Sequence, residues 1–437
     1  MENNNLICEN LSIGNNGVLN FASVDTVEMA NKYSTPLFLM DEDRIRYKCR
    51  TYISAVKKYF GSSSGVLYAS KALSFKRIYE IMKEEGMGID VVSQGEIFTA
   101  KRAGFPLEKA YFHSNNKTDD DIDYAIKNGV GKFVVDNVEE LLVIDKIAKT
   151  NQKIQNILLR LTPGIDPHTY DAIATGKVDS KFGSPIETGQ AEEITKIALT
   201  LKNINLEGFH CHVGSQVFDS DVYIKASTVM LSFIKDMKEK LGYSAKILDL
   251  GGGYGVKYIE SQPVIDIEKN ILEVSNHIKA LCKDFNINMP SIYFEPGRSI
   301  VADSGITLYT VGTVKRIPGY KNYVSVDGGM TDNPRFALYK ADYTLLPAYN
   351  MNIERDMTAS VVGRCCESGD IIQENVKMPS TIKRGDVIAC LTTGAYNYSM
   401  SSNYNRVARP PVVMISNKKD YVAVKRESLE DIVNLDL

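Results

Sequence analysis

Eight short apolar runs recur along the first three hundred residues, at 66–69, 89–93, 110–113, 132–136, 154–161, 206–213, 247–250 and 291–295. Between them lie stretches whose apolar residues fall at helical spacing, among them 95–103, 119–128, 138–149, 187–201, 221–241 and 266–285. This alternation is the tightest constraint on the fold. Strands that alternate with helices build parallel βαβ units, and eight such units predict a closed (β/α)8 barrel rather than an open sheet. Past about residue 301 helical periodicity fades and short β-like runs take over, at 306–314, 323–326, 359–362, 386–391, 412–415 and 421–424. The expected class is therefore α/β: a TIM-like barrel over 36–300 and a mainly antiparallel β-sandwich or β-barrel domain from 1–35 and 301–437.

Bulk properties narrow the partners. Of 437 residues, 44% are hydrophobic and 24% charged, with a net charge of -3 and no massed basic tract. That balance predicts a globular protein with no nucleic-acid or membrane partner, acting on a small molecule or pairing with its own copy. The start, Met1 to Asn5, lacks a basic region followed by an apolar core, so the cytoplasm is expected. Seven cysteines without Cys-x-x-Cys spacing suit neither a disulfide framework nor a zinc ribbon.

In such a barrel the chemistry sits at the C-terminal ends of the strands. Lys71 follows the first run, where partial loss of solvation would make its amine a nucleophile; Ser74 is placed to cap the next helix. The sixth run ends in His210-Cys211-His212-Val213-Gly214-Ser215, and the seventh leads into Gly251, Gly252 and Gly253, which could cradle a phosphate or simply form a sharp turn. His210 and His212 share a strand face, yet no third ligand stands at a companion spacing, so no metal is expected. An imidazole there could instead stack on a flat aromatic cofactor. Glu295, ending the eighth run, needs a cation if buried: a protonated ring nitrogen, or else Arg298 or Lys71. Lysine, phosphate cradle, imidazole and carboxylate together describe a site for pyridoxal 5'-phosphate.

The motifs Tyr68-Ala69-Ser70-Lys71-Ala72, His212-Val213-Gly214-Ser215-Gln216, the Gly251 triplet, Glu295-Pro296-Gly297-Arg298 and Cys366-Glu367-Ser368 resemble those of the alanine-racemase-like, fold type III pyridoxal phosphate decarboxylases. Residues 163–169 with 180–183, and 394–396 with 399–405, resemble the branch that acts on meso-2,6-diaminopimelate. The likeness runs in order from about Pro36 to Arg409. It implies that Lys71 carries the cofactor as a Schiff base, that His212 stacks on its ring, and that Glu295 pairs with the ring nitrogen. Ser215, Gly251 to Gly253 and Tyr396 would hold the phosphate, with Asp90 and Arg160 around the ring. It further implies that Cys366 and Glu367 act from a partner subunit of a homodimer with shared sites, the thiol as proton donor and the carboxylate on the far ammonium. Arg298, Arg335 and Tyr339 would take the distal carboxylate, and Tyr396 would also border the substrate. The implied reaction is release of carbon dioxide from meso-diaminopimelate to give L-lysine, the last step of lysine synthesis. The alternatives are a relative acting on carboxynorspermidine or a D-configured basic amino acid, or a non-catalytic regulatory homologue. Cys365, beside Cys366, reads as a packing residue.

Overall fold

The computed structural model describes residues 6–165 and 180–437. The start at Met1 to Asn5, and the motif residues Asp166, Pro167, His168 and Thr169, lie outside them. The chain forms two compact units, one of Lys48–Gly255 and Val264–Gly297, the other of Met1–Tyr47, Val256–Pro263 and Arg298–Leu437.

The first unit is the barrel. Its strands are β1 (Gly65–Ala69), β2 (Gly88–Val91), β3 (Ala110–Phe112), β4 (Lys132–Val135), β5 (Gln155–Thr162), β6 (Ile204–His210), β7 (Ile247–Asp249) and β8 (Ser291–Phe294). Every neighbouring pair is parallel, and β8 returns to β1 through Tyr293 opposite Gly65 and Phe294 opposite Val66. Strands covered on both faces read as largely apolar runs, which is why all eight are visible in the sequence. Leu67, Tyr111, Val134, Leu158 and Ile247 form a buried apolar layer inside the ring, with Tyr293 packed against it. Polar residues stand nearer the C-terminal ends. Register puts His210 opposite both Arg160 and Asp249, so these three side chains occupy one level of the barrel.

Local signals fix the helices. Asn137 accepts from the Glu140 N–H, Ser93 from the Glu96 N–H, and Thr118 and Asp121 make a reciprocal capping box. Ser74 departs from expectation. Its hydroxyl sits 2.9 Å from that of Tyr79, and the helix Lys76–Glu85 begins after Phe75 with no side-chain cap.

The second unit is a mixed, mainly antiparallel sheet. Its long strand Gly305–Ile317 pairs first with Leu37–Asp41 and Val387–Cys390, then with Lys321–Val326. Leu37–Asp41 is buried throughout and also runs parallel to Val412–Ser416. That strand and Val256–Pro263 thus group with the β unit, although the sequence reading puts both within the barrel span; for Leu37–Asp41 the strand pairing, invisible in a single run, decides it. The strand Ile371–Met378 is unforeseen, because it lies at the sheet edge and carries polar residues. Leu19, Phe21, Leu39, Leu308, Ala389 and Val413 are among the core residues. Among the described residues no helix is long and apolar enough to cross a membrane.

Candidate active site

In the barrel unit, β1 runs into a single turn of 3-10 helix, Ser70–Ala72, that carries Lys71. Ser70 and Ala72 are buried whereas Lys71 is exposed, so the expected desolvation of its amine is not met. A turn that buries its flanks presents only the middle side chain.

Asp90 sits near the end of β2, and His113 follows β3, its backbone N–H donating to the Val91 carbonyl at 2.8 Å. Both side chains are buried. Burial pushes the Asp90 carboxyl up to about 6, against the pull of His113. Arg160, on β5, lies 4.4 Å over the Phe182 ring; burial lowers its pKa while Asp136 and Glu295 oppose the shift.

Glu295 follows β8 and is the centre of the cluster. Its Oε2 lies 3.1 Å from His210 Nε2 and its Oε1 2.8 Å from His113 Nε2. The His113 contact is off the hydrogen-bonding direction, so Oε1 is a buried carboxylate oxygen that accepts no hydrogen bond. Burial alone would raise Glu295, yet His113 and His210 hold it well below the usual carboxylate range. The cation expected at Glu295 is a protonated ring nitrogen, or else Arg298 or Lys71; within the barrel unit the carboxylate is met by two imidazoles. His113 ends the third apolar run just as Glu295 ends the eighth, which was the available signal. These three residues place their ligand atoms within 4.8 Å of one another, close enough for a metal ion, but each imidazole meets a different carboxylate oxygen.

His212 is partly buried, and burial, then Lys71 and Arg160, hold it well below its ordinary value, so it is a neutral imidazole. Asp249 is fully buried, and burial next to Glu295 raises it well above its ordinary value. The glycine triplet follows from close approach. A Cβ on Gly251 would stand 2.7 Å from the Cys211 carbonyl oxygen, one on Gly252 2.2 Å from that of Glu295, and one on Gly253 2.4 Å from that of Gly214. Gly251 and Gly253 also have φ of +68° and +112°, where side chains are strained. The segment at Gly214 and Ser215 therefore lies against this backbone, uniting two of the predicted phosphate elements. A shaped glycine cradle, a neutral imidazole and an ionised buried carboxylate with an unused acceptor fit pyridoxal phosphate.

In the β unit, Arg298 opens the short helix Arg298–Val301 and Arg335 opens Arg335–Tyr339; both arginines are buried. Arg298 Nη1 donates to Tyr258 Oη at 2.9 Å, and Arg335 Nη1 to Tyr343 Oη at 2.6 Å. The Arg298 guanidinium also lies 4.7 Å from the Tyr396 ring centroid. Tyr396, at φ +61°, and exposed Tyr339 are thus in the unit that holds both arginines. Cys366 and Glu367 are exposed on the loop after strand Met357–Val362, where the Cys366 N–H donates to Asn405 Oδ1 at 3.0 Å. Cys365 is half-buried, and burial together with Asp370 pushes its thiol up to about 11, as suits a packing residue.

Residues 43–302 match the family model described as the pyridoxal binding domain of pyridoxal-dependent decarboxylases. The chain is 42% identical to the diaminopimelate decarboxylase of Bacillus methanolicus over 95% of its own length and 96% of the relative's. It superposes on the diaminopimelate decarboxylase of M. jannaschii with a TM-score of 0.91 and 33% identity, covering 99% of this chain and 98% of that one. A structure of the M. jannaschii protein in complex with L-lysine aligns with the same TM-score at 32% identity, with the same coverage. By these likenesses the chain belongs to the pyridoxal-dependent decarboxylases, alongside the diaminopimelate decarboxylases.

Proposed function

We propose that this protein decarboxylates meso-2,6-diaminopimelate to L-lysine, using pyridoxal phosphate, as a homodimer in the cytoplasm. The observation that carries the reading is Glu295, a buried carboxylate held ionised at the end of a barrel strand. Bound pyridoxal phosphate supplies an electron sink for the pair released when carbon dioxide departs. Glu295 would serve that sink by holding a proton on the ring nitrogen. Lys71 provides the amine that anchors the cofactor, and neutral His212 offers a flat face without a competing charge. Gly251 to Gly253, Ser215 and Tyr396 bind the phosphate; Asp90 and Arg160 complete the surroundings of the ring.

On the substrate side, Arg298, Arg335 and Tyr339 take the carboxylate that is retained, with Tyr396 beside them. A guanidinium suits this task because its planar donors match a carboxylate. Cys366 from the second copy gives its proton to the carbon that has lost carbon dioxide, and Glu367 receives the distal ammonium. The exposure of both on a loop supports a role towards another chain. The L-lysine complex of the M. jannaschii relative supports the substrate class. That all seven cysteines are free thiols supports a reducing compartment.

Carbon dioxide release from cofactor-loaded protein tests the reading, with meso-diaminopimelate, L-lysine, D-lysine, ornithine and carboxynorspermidine offered separately. Release from meso-diaminopimelate with L-lysine as product is expected. Release only from another member overturns the substrate, and no release from any overturns the reaction.

A further inference from the structure

Cys366 stands on the connection of a β-hairpin. Strands Met357–Val362 and Ile371–Met378 pair antiparallel, with Val362 opposite Ile371, and the loop 363–370 between them carries Cys365, Cys366 and Glu367. The first half of this loop is held donor by donor. The Gly363 N–H donates to the Asp370 carbonyl at 2.9 Å, the Arg364 N–H to the Gly328 carbonyl at 3.2 Å, the Cys365 N–H to Asp370 Oδ2 at 2.7 Å and the Cys366 N–H to Asn405 Oδ1 at 3.0 Å.

Asp370 is buried, and its second oxygen, Oδ1, accepts from the Met330 N–H at 2.6 Å, on the segment that precedes Arg335. Two glycines make room for it. A Cβ on Gly329 would stand 2.4 Å from Asp370 Oδ1, and one on Gly363 would stand 2.3 Å from both oxygens. A carboxylate that only closed the hairpin would need donors from the hairpin alone. This one ties the hairpin to a second loop, because each of its oxygens accepts from a different backbone segment.

The same carboxylate separates two adjacent thiols. Cys365 is half-buried, and burial, then Asp370, pushes its thiol up to about 11, whereas Cys366 is exposed. Asn405, from the turn Tyr404–Arg406, holds the Cys366 backbone at φ +51°, a left-handed conformation that asparagine tolerates.

We infer that Asp370 and Asn405 are positioning residues that aim the Cys366 thiol, Asp370 by fixing the Cys365 backbone to the loop at Met330 and Asn405 by holding the Cys366 N–H. The inference rests on the reading that Cys366 is the proton donor.

The test measures steady-state decarboxylation of meso-diaminopimelate by the cofactor-loaded parent, Asp370→Asn, Cys366→Ala and the double variant. An amide keeps one acceptor oxygen but turns an N–H group toward one of the two backbone donors, so the loop shifts. A misplaced donor should lower kcat by about 10–10²-fold, with KM within about twofold. Acting through Cys366, Asp370→Asn should add less than about twofold once that thiol is gone. A merely structural role would move both backgrounds alike, so losses that multiply would overturn the inference, as would a rise in KM at constant kcat or an unchanged Asp370→Asn enzyme. Normal turnover in Cys366→Ala would instead remove the proton-donor reading and the inference with it. Should Asp370→Asn not fold, Asn405→Gly keeps the positive φ, removes the acceptor for the Cys366 N–H and carries the same comparison in both backgrounds.

Discussion

His210 Nε2 and Glu295 Oε2 meet at 3.1 Å, both side chains buried. An ionised carboxylate only accepts, so this contact fixes the proton of His210 on Nε2. His210→Phe leaves a buried carboxylate oxygen without its donor and should cost about 1.5–3 kcal/mol in urea unfolding. Adding Glu295→Gln should recover part of that loss, because a neutral amide tolerates the missing partner better. Strict additivity of the two changes would show that the residues are not coupled.

Glu295→Gln alone addresses the chemistry. It keeps shape and removes the charge that, in the proposed function, would hold a proton on the ring nitrogen. Turnover should fall by roughly 10²–10³, in the range of a lost electrostatic contact to the reacting system. Cofactor binding followed by absorbance should survive, and undiminished turnover would remove Glu295 from the mechanism.

Asp249 gives a pH-dependent prediction of the opposite character. Its carboxyl is buried beside Glu295 and is raised well above its ordinary value. The folded chain therefore keeps a proton that the unfolded chain releases, and stability from this group is lost as pH rises through and beyond the ordinary carboxylate range. Asp249→Asn preserves the acceptor for the Gly251 N–H, now at 2.9 Å from Oδ1. The variant should be more stable than the parent at pH 8, by on the order of 1 kcal/mol or more, with the advantage shrinking towards pH 3. A constant difference across that range would mean that the Asp249 carboxyl titrates alike in the folded and unfolded chain.

These partnerships mark the limit of what the sequence discloses. The eight barrel strands are legible because burial on both faces makes each a largely apolar run, whereas Ile371–Met378 escapes because an edge strand needs no such run. Lys71, His212, Glu295 and the glycine triplet are legible as chemistry at the ends of strands. What joins Glu295 to His113 and His210 is closure of the ring, which brings together residues from β8, β3 and β6 that no spacing relates. Likewise Tyr258 gives no signal until Arg298 is seen to reach it.

Lys117 offers a stability prediction apart from the chemistry. Its side chain is fully buried, and Nζ donates to the carbonyls of Ser114 at 3.1 Å and Val134 at 2.8 Å and to Glu140 Oε1 at 2.8 Å. Removing one partner of a buried pair strands the other charge. Lys117→Met should lower the unfolding free energy by about 3–5 kcal/mol, and Lys117→Met with Glu140→Leu by distinctly less. Similar losses in both variants would assign the cost to packing rather than to the stranded carboxylate.

The proposed sharing of sites between two chains has its own test in mixed dimers. Lys71→Ala should abolish covalent attachment of the cofactor, seen by mass spectrometry, together with activity. Cys366→Ala should keep the attachment and slow turnover by roughly 10²–10⁴, the scale of a lost proton donor. If Lys71 of one chain works with Cys366 of the other, exchanging subunits between these two inactive proteins creates dimers with one site intact and one site doubly altered. In a fully exchanged equimolar mixture half the dimers are mixed, so activity should recover to about one quarter of the parent value per site. No recovery, with exchange confirmed by differently tagged subunits, would place both residues of each site on one chain.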